Sequence, residues 1–290
     1  MSKLRLLLDA LLESRSTRFA QMSLWLILVS ALYYSMLIEE YSTSAPIENH
    51  ISFATLLPDA ISGNYLLFET CRSLFWICAF FWAFNLAIPL SSWAATILFT
   101  ALISLGVGSA SYTIHIYHLT NWLMIIYCVW YQLYRREIGD APRFMSFGRM
   151  APFPHWVVFL AVYYIALSYT LSGLTKLAIA GVSWGDGTAL QLWSLLTGVS
   201  WSPTVPLFLA DRSWAMLAQS IMLIVESTAF LAIFVPRYRP VLGVLLFIFH
   251  VGNELTFNHL FYGNTIFVLL FLTLYRISGR PGALAPRSAA

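Results

Sequence analysis

The sequence predicts an all-α membrane protein, a polytopic bundle of about eight transmembrane helices with both termini in the cytoplasm. Composition, long uncharged runs and the distribution of basic residues support this fold class. Apolar residues make up 59% of the 290 positions and charged residues 10%, and the mean hydropathy is +0.74. Soluble domains carry roughly 25% charged residues, because their surfaces face water. Most of this surface is therefore expected to face membrane lipids, and a net charge of +3 does not indicate a nucleic-acid partner.

Apolar runs of about 20 residues, the length that a helix needs to cross a bilayer, define the predicted spans. The stretch 73–134 contains no Asp, Glu, Lys or Arg and is long enough for three helices. Pro89, Ser91 and Ser92 mark one turn within it, and the polar patch Ser111–His118 marks another. In chain order, the predicted spans are Phe19–Ile38, Ser73–Ile88, Trp93–Tyr112, Ile116–Tyr134, Trp156–Leu174, Trp214–Val235, Val241–Phe257 and Leu260–Tyr275.

The basic residues predict the orientation, because cytoplasmic loops of membrane proteins are rich in Lys and Arg. With the N-terminus inside, 13 of the 16 basic residues lie in the cytoplasm, and only Arg72, Lys176 and Arg212 lie outside. An odd number of spans would place the basic C-terminal residues outside. We therefore expect a multi-pass protein of the plasma membrane with an even number of spans.

The segments that flank the transmembrane domain, residues 19–275, are short. In residues 1–18, leucines recur at helical spacing opposite charged residues, which is typical of an amphipathic helix on the cytoplasmic surface. Because Asp9 interrupts its apolar run and no cleavage site follows, this segment is not predicted to be a signal peptide. Residues 276–290, rich in Gly, Pro and Ala, are expected to be a disordered cytoplasmic tail.

Ionisable and polar side chains within the spans are the candidate functional residues, because such groups are costly in lipid and usually face the bundle interior or a cavity. These residues are His115, His118, Lys176, Glu226, His250, Asn253 and Glu254. The last three share one helix face at i, i+3 and i+4. In the eight-span topology, His118, Lys176, Asn253 and Glu254 lie at one depth in the outer leaflet, with His250 one turn deeper. This convergence predicts an outward-facing polar pocket.

Each candidate also has a structural interpretation. Lys176, at a helix end, is also placed to extend its amine to the interface. The face that carries His250 also suits hydrogen bonding between helices, and Glu226 also suits a neutral structural role. His115 and His118 stand at i, i+3, but the histidines do not have the spacing of a metal motif, so no metal is expected.

The segment after Lys176 is rich in tryptophan. Gly185, Asp186 and Gly187 predict a turn, followed by a short helix over Ala189–Leu196 that Thr188 is expected to cap. Trp184, Trp193, Trp201 and Trp214 all fall within this predicted outer loop. The loop is expected to lie at the headgroups, either as a lid over the pocket or as an aromatic anchor.

Several short motifs resemble the HTTM domain family, which includes the vitamin K-dependent γ-glutamyl carboxylase. They are Ser172-Gly173-Leu174-Thr175-Lys176-Leu177 followed by Trp184 and Gly187, then Trp201-Ser202-Pro203, Glu226, Phe249-His250-x-x-Asn253 and, earlier, His118. Their order and spacing are similar to those of the family over roughly residues 10–275, and bacterial-type members have about this length.

The resemblance implies a membrane enzyme that uses a reduced quinone of the vitamin K or menaquinol type, with O₂ and CO₂, to modify a secreted peptide or a lipid. Lys176 takes the place of the catalytic lysine, and His250 is implied to be a second catalytic residue. His118, Asn253, Glu226 and Trp184 are implied to surround the cofactor. The remaining expected partners are membrane lipids.

The chain departs from the carboxylase at three places. Thr175 stands where the carboxylase has a second lysine, and Tyr117 replaces an asparagine. The large lumenal domain of the carboxylase has no counterpart in the sequence. A non-catalytic transporter, or an assembly or maturation factor, is therefore the alternative hypothesis.

Overall fold

The computed structural model describes residues 14–15, 17–38, 64–107, 114–138, 153–257 and 262–274. Apart from a two-residue antiparallel bridge that pairs Ser14 with Pro154 and Arg15 with Phe153, the ordered elements in these ranges are helices, which confirms the predicted all-α class. They are α1 (Thr17–Leu37), α2 (Tyr65–Ala83), α3 (Leu90–Val107), α4 (Ile114–Ile138), α5 (His155–Ala180), a 3₁₀ turn (Gly181–Asp186), α6 (Thr188–Thr197), α7 (Thr204–Ala210), α8 (Arg212–Ser227), α9 (Leu231–Phe234), α10 (Arg239–Phe257), α11 (Tyr262–Phe267) and a π-helix (Val268–Leu274).

Several of these helices have the length and composition of membrane spans. Within the described ranges four qualify, Phe19–Leu37, Tyr65–Ala83, His155–Asp186 and Arg239–Phe257. Helices α7 and α8 together make a fifth if they are counted as one broken span, although they are bent by 110° relative to each other. Two shorter apolar helices accompany them, Leu90–Leu105 and Gly263–Thr273. The architecture is compatible with a membrane protein.

Three predicted segments lie mainly outside the described residues. They are the amphipathic segment 1–18, of which only residues 14–15 and 17–18 are described, the connection between the first two predicted spans, and the tail 276–290.

Helix α2 begins at Tyr65, earlier than the predicted start at Ser73. The side chain of Asn64 caps the helix by accepting a hydrogen bond from Leu67 N at 3.1 Å. Glu69 and Arg72 pair at i, i+3 with 2.9 Å between their charged atoms, and Arg72 also donates to Ile38 O at 2.8 Å. The charge-free run in the sequence begins only after these first two turns, Tyr65–Arg72, because run length does not show that Glu69 and Arg72 neutralise each other.

The predicted sixth span is interrupted. Helix α8 ends at Ser227, and α9 resumes only at Leu231. At the break, Thr228 Oγ1 donates to Ile224 O at 2.7 Å and lies 3.0 Å from Tyr238 Oη. The break begins two residues after Glu226, which is the only acidic residue of the predicted span.

Aromatic side chains fill the centre of the bundle. Trp82 of α2 and Trp130 and Tyr131 of α4 are fully buried, and the rings of Trp82 and Tyr131 meet edge to face with centroids 6.0 Å apart. Tyr131 Oη donates to Asn85 Oδ1 at 3.0 Å, in the turn between α2 and α3 that Pro89 predicted. Large rings thus pack the interior, while their hydroxyl groups find partners at its edges.

Small residues allow two pairs of helices to approach closely, as is common in membrane bundles. A Cβ atom added to Gly173 of α5 would lie 2.5 Å from Ser227 N at the end of α8. A Cβ added to Gly243 of α10 would lie 2.2 Å from Thr273 Oγ1 in the π-helix. The first contact sets the distance between α5 and α8, which carry Lys176 and Glu226.

We expect Gly173→Ala to destabilise the protein, because the new methyl group meets backbone atoms of α8 that cannot rotate away. The cost of such overpacking is about 1–3 kcal/mol. Thermal unfolding in detergent micelles, followed by circular dichroism, measures it. Gly252→Ala on α10 is the matched control, since nothing lies within 4 Å of the added Cβ, and it should leave stability unchanged or raise it. Equal melting temperatures for Gly173→Ala and wild type would contradict this packing.

Candidate functional site

One face of α5 carries a row of polar side chains. Ser172 follows Ser168 by four residues and Tyr169 by three, and Lys176 follows Ser172 by four, the spacing that stacks side chains on a single face of a helix. Helix α5 presents this row to α8 and α10, which carry Glu226 and His250.

Lys176 and Glu226 form an ion pair between α5 and α8. Lys176 Nζ donates to Glu226 Oε2, and Ser172 Oγ donates to the same oxygen at 3.4 Å. The side chain of Glu226 is only 4% exposed, whereas that of Lys176 is 25% exposed. A buried carboxylate requires a cation or hydrogen-bond donors. Both donors come from one face of α5, so the pair links the two helices at their closest approach.

Trp184 covers the amine of Lys176. The amine lies 4.7 Å from the centroid of the indole ring, within the range of a cation–π contact. The indole is positioned by its backbone, because Gln219 of α8 donates to Trp184 O at 2.7 Å and Ser220 donates to Gly185 O at 3.1 Å. Lys176 thus points into the bundle, towards a carboxylate and an aromatic ring.

His250 of α10 pairs with Tyr169 of α5. His250 Nε2 and Tyr169 Oη share a short hydrogen bond, and the two rings meet at 61° with centroids 5.8 Å apart. The imidazole is buried, and the neighbouring Phe249 ring lies 5.3 Å from it. Both groups can donate or accept a hydrogen bond, so the pair joins α5 and α10 through one polar contact at the cavity.

The polar side chains surround a cavity of about 490 Å³. Five helices contribute to its wall: α4, α5, α8, α10 and α11. The lining residues are His118, Leu119, Tyr164, Ile165, Ser168, Tyr169, Ser172, Glu226, Phe249, His250, Asn253 and Asn264. This volume lies within the range of about 300–1,000 Å³ that is usual for small-molecule sites, and the mixture of aromatic and hydrogen-bonding groups is also typical.

The structure brings most of the sequence-predicted residues together. His118, Glu226, His250 and Asn253 line the cavity, although they come from three separate helices. Lys176 does not line it and is connected to it through Glu226. Trp184 lies over Lys176 and is also absent from the cavity wall.

The remaining predicted residues do not line the cavity, are not described by the structure, or have a different role. Glu254 is not among the lining residues, and the side chain of His115 lies outside the described residues. Within the part of the chain that the structure describes, no group of three or more His, Cys, Asp or Glu side chains is placed to hold a metal ion. Thr188 does not cap α6, because Gly187 takes the N-cap position and Asp186 Oδ1 accepts from Thr188 N at 2.8 Å.

Sequence reasoning missed Tyr169, Ser172 and Asn264. The first two have a signal, since counting back from Lys176 by four and then by three residues reaches Ser172 and Tyr169. Asn264 is a buried amide within an apolar run, so the criterion that singled out Asn253 applies to it as well. The pairing of Tyr169 with His250 has no signal in the sequence, because it depends on how two helices are rotated against each other.

Comparisons of the chain with protein-family models, with curated proteins and with solved structures found no match.

We expect Lys176→Met to destabilise the protein, because it leaves the buried Glu226 carboxylate without its cation. Breaking a buried pair costs roughly 3–5 kcal/mol, and the partial exposure of Lys176 places this case at the low end. The double variant Lys176→Met/Glu226→Gln should recover most of the loss, since the remaining amide is neutral. Chemical unfolding in micelles gives the free energies for the double-mutant cycle.

Arg212→Met is the control for this cycle. It breaks the Arg212–Asp186 pair, in which both side chains are exposed, and should cost less than Lys176→Met. Independent, additive effects of Lys176→Met and Glu226→Gln would show that the pair does not contribute as a unit.

Proposed function

We propose that the protein is an integral membrane enzyme, similar to HTTM-family proteins, that performs acid–base chemistry on a reduced quinone and uses it to modify a secreted peptide or a lipid. One observation supports the proposal above the others: the Lys176–Glu226 pair adjoins a cavity that His250 and Asn253 also line. Proton abstraction requires a basic group within hydrogen-bonding reach of the reacting atom, and Glu226 Oε2 is placed for this.

The proposed membrane arrangement has eight spans, cytoplasmic termini and a pocket that faces outward from the plasma membrane. Helices α1 to α5 supply the first five spans, the interrupted α8–α9 supplies the sixth, α10 supplies the seventh, and α11 with the π-helix supplies the eighth. Exposed apolar side chains support lipid contact on several of them. Ile77 of α2, Ile97 of α3 and Ile248 of α10 are each more than half exposed.

This arrangement predicts which sites an impermeant thiol reagent reaches in intact cells. In a variant without the three native cysteines, a cysteine at Glu48 or Asp186 should be labelled from outside, whereas one at Arg143 or Arg237 should react only after the membrane is permeabilised. We expect this because Arg143 and Arg237 belong to basic segments, and basic segments stay on the cytoplasmic side of a membrane protein. Labelling at Arg143 in intact cells would exclude the eight-span topology.

The cavity has the properties that a quinone headgroup requires. Tyr164 and Phe249 provide aromatic walls, and His118, Asn253 and His250 provide hydrogen bonds to ring oxygens. When bound, the reduced quinone would supply, together with O₂, the oxidative driving force for forming a carbon–carbon bond with CO₂.

The residues of this chain would bind the headgroup and hold protons beside it. The Lys176–Glu226 pair holds one proton in its hydrogen bond. When that proton resides on Glu226, Lys176 is neutral, and a proton that the carboxyl group takes from the cavity would displace the first one onto Lys176 Nζ. Ser172 steadies the carboxylate, and Trp184 shields the amine from water. Tyr169 Oη and His250 Nε2 form a second position where a proton can be held.

Replacing Lys176 by arginine tests whether the lysine acts as the base. Arginine can keep the ion pair with Glu226 but cannot lose its proton in a protein. We expect Lys176→Arg to lower O₂-dependent oxidation of a reduced quinone in membranes by at least about 100-fold, the smaller end of typical acid–base contributions. Glu226→Gln should have a similar effect if the two residues act together.

Thr170→Val is the matched control on the same helix. Thr170 Oγ1 bonds to Ala166 O of its own helix, and the residue does not line the cavity. The activity and the expression level of Thr170→Val should therefore equal those of wild type. Full activity of Lys176→Arg beside an inactive Glu226→Gln would assign the base to Glu226 alone.

A second candidate function, transport, is favoured by the break after Glu226. Discontinuous helices with a charged residue near the membrane midplane form the substrate sites of many transporters. A cysteine at Ser172 separates the two functions. An outward-facing enzyme should expose it to impermeant reagents from one side only, whereas a transporter should expose it from both sides in turn.

A further inference from the structure

We propose that residues 188–210, which we call the α6–α7 segment, form a re-entrant element embedded in the lipid acyl chains on the Lys176 side of the membrane. From its sequence, this segment is expected to lie at the headgroups as a lid or an anchor. The inference goes beyond the proposed enzyme activity, because it concerns a surface that contacts lipid and requires only that α5 and α8 cross the membrane.

The composition of the α6–α7 segment suits the membrane interior. It contains no Asp, Glu, Lys or Arg. Helix α6 has 10 residues and is about 15 Å long at 1.5 Å per residue, which is half of a hydrocarbon core of about 30 Å. Helix α7 is bent by 110° relative to α8, so it runs close to the membrane plane if α8 crosses steeply. Helix α6 is therefore long enough to cross one leaflet, and α7 is oriented to run along the membrane before α8 begins.

Groups from α8 and α10 accept hydrogen bonds from two backbone N–H groups in this segment. The first turn of α6 is held by Gln219, a buried side chain that accepts from Leu190 N at 3.0 Å. In the connection between the helices, Val199 N donates to Thr256 O at 3.0 Å. Non-helical backbone at membrane depth is tolerated only where the protein provides such partners.

The outward surface of α6 is apolar. A helix on the surface of a water-soluble protein instead turns its polar face outward. Leu192, Leu195 and Leu196, at i, i+3 and i+4, are 52–70% exposed, whereas Ser194 faces inward and is buried. Ile179 at the end of α5 and Val182 in the 3₁₀ turn before α6 are also apolar and more than 80% exposed. An uncharged apolar surface that follows a candidate span in the chain is suited to acyl chains.

The ends of the segment carry charges that mark the return to the headgroups. Asp186 and Arg212 pair at 2.9 Å just outside the two ends, and both side chains are exposed. Arg212 also donates to Asp186 O at 2.8 Å and to Thr188 Oγ1 at 3.0 Å, so it holds the entry and the exit of the segment together. Paired charges at both ends of an uncharged stretch are expected where a chain passes the interface.

Nitroxide scanning in phosphatidylcholine vesicles tests the proposal. In a variant without native cysteines, spin labels at Leu196→Cys and Leu207→Cys should collide severalfold more often with O₂, and severalfold less often with a water-soluble nickel chelate, than a label at Ser213→Cys. Ser213 is the matched control, because it is exposed and lies beside Arg212. All three positions are on the surface, so the labels should not disturb the core.

Two results would overturn the proposal. Nickel accessibility at positions 196 and 207 equal to that at 213 would place the segment in water. Low accessibility to both reagents, with dipolar coupling between labels on different molecules, would show that a second copy covers this surface. Both results are independent of which side of the membrane is outside and of quinone chemistry.

Hydrogen exchange of the unmodified protein in vesicles provides a measurement that needs no substitution. Peptides covering residues 190–210 should exchange as slowly as those of α5. Exchange as fast as in a short solvated helix would also overturn the proposal.

Discussion

The interaction on which the site depends is the neutralisation of a carboxylate inside an apolar bundle. Glu226 is buried, and an isolated charge there would be costly enough to exclude this packing. Its partners, Lys176 and Ser172, come from the neighbouring helix, so α5 and α8 must keep one particular register. Gly173 lies between these partners in the sequence, and only glycine allows the backbone of α8 to approach so closely.

The need to keep Lys176 beside Glu226 also involves the 3₁₀ turn that follows α5, because α8 holds this turn in place. Lys176 is partly exposed, and the indole of Trp184 covers part of its amine. Gln219 and Ser220 hold the backbone of this segment, and they stand on the helix that carries Glu226. One helix thus provides the buried anion and positions the ring that shelters its cation. The α6–α7 segment extends this arrangement outward, since the first turn of α6 is held by the same Gln219.

Two pairs of polar side chains reach the wall of the cavity, and each joins two helices. Glu226 of the Lys176–Glu226 pair lines the wall, and Tyr169 and His250 form the second pair. Around them the lining is aromatic or carries amides and hydroxyls, so a ligand with several oxygen atoms and a flat ring is better matched than a free ion. The break after α8 begins two residues beyond Glu226, and there the backbone hydrogen bonds change to i, i+3 spacing, as in the bond from Ala229 N to Glu226 O at 3.1 Å.

Composition and run length by themselves determined the all-α class and the approximate positions of the long apolar helices, because long apolar segments bond their backbone groups internally when they are helical. They also singled out His118, Lys176, Glu226, His250 and Asn253, since polar groups are rare and costly within such segments. Ser172 and Tyr169 were within reach of the sequence through their helical spacing from Lys176.

Only the tertiary structure decided which of these groups meet. Lys176 and Glu226 are 50 residues apart in the chain, and the pairing of His250 with Tyr169 depends on the rotation of two helices about their own axes. The early start of α2 and the break after Glu226 depend on local partners that a hydropathy pattern does not contain: a cap, an ion pair and a threonine bonded to a carbonyl. Periodicity specifies the face on which a side chain stands, but the neighbour of that face is set by packing between helices that are distant in sequence.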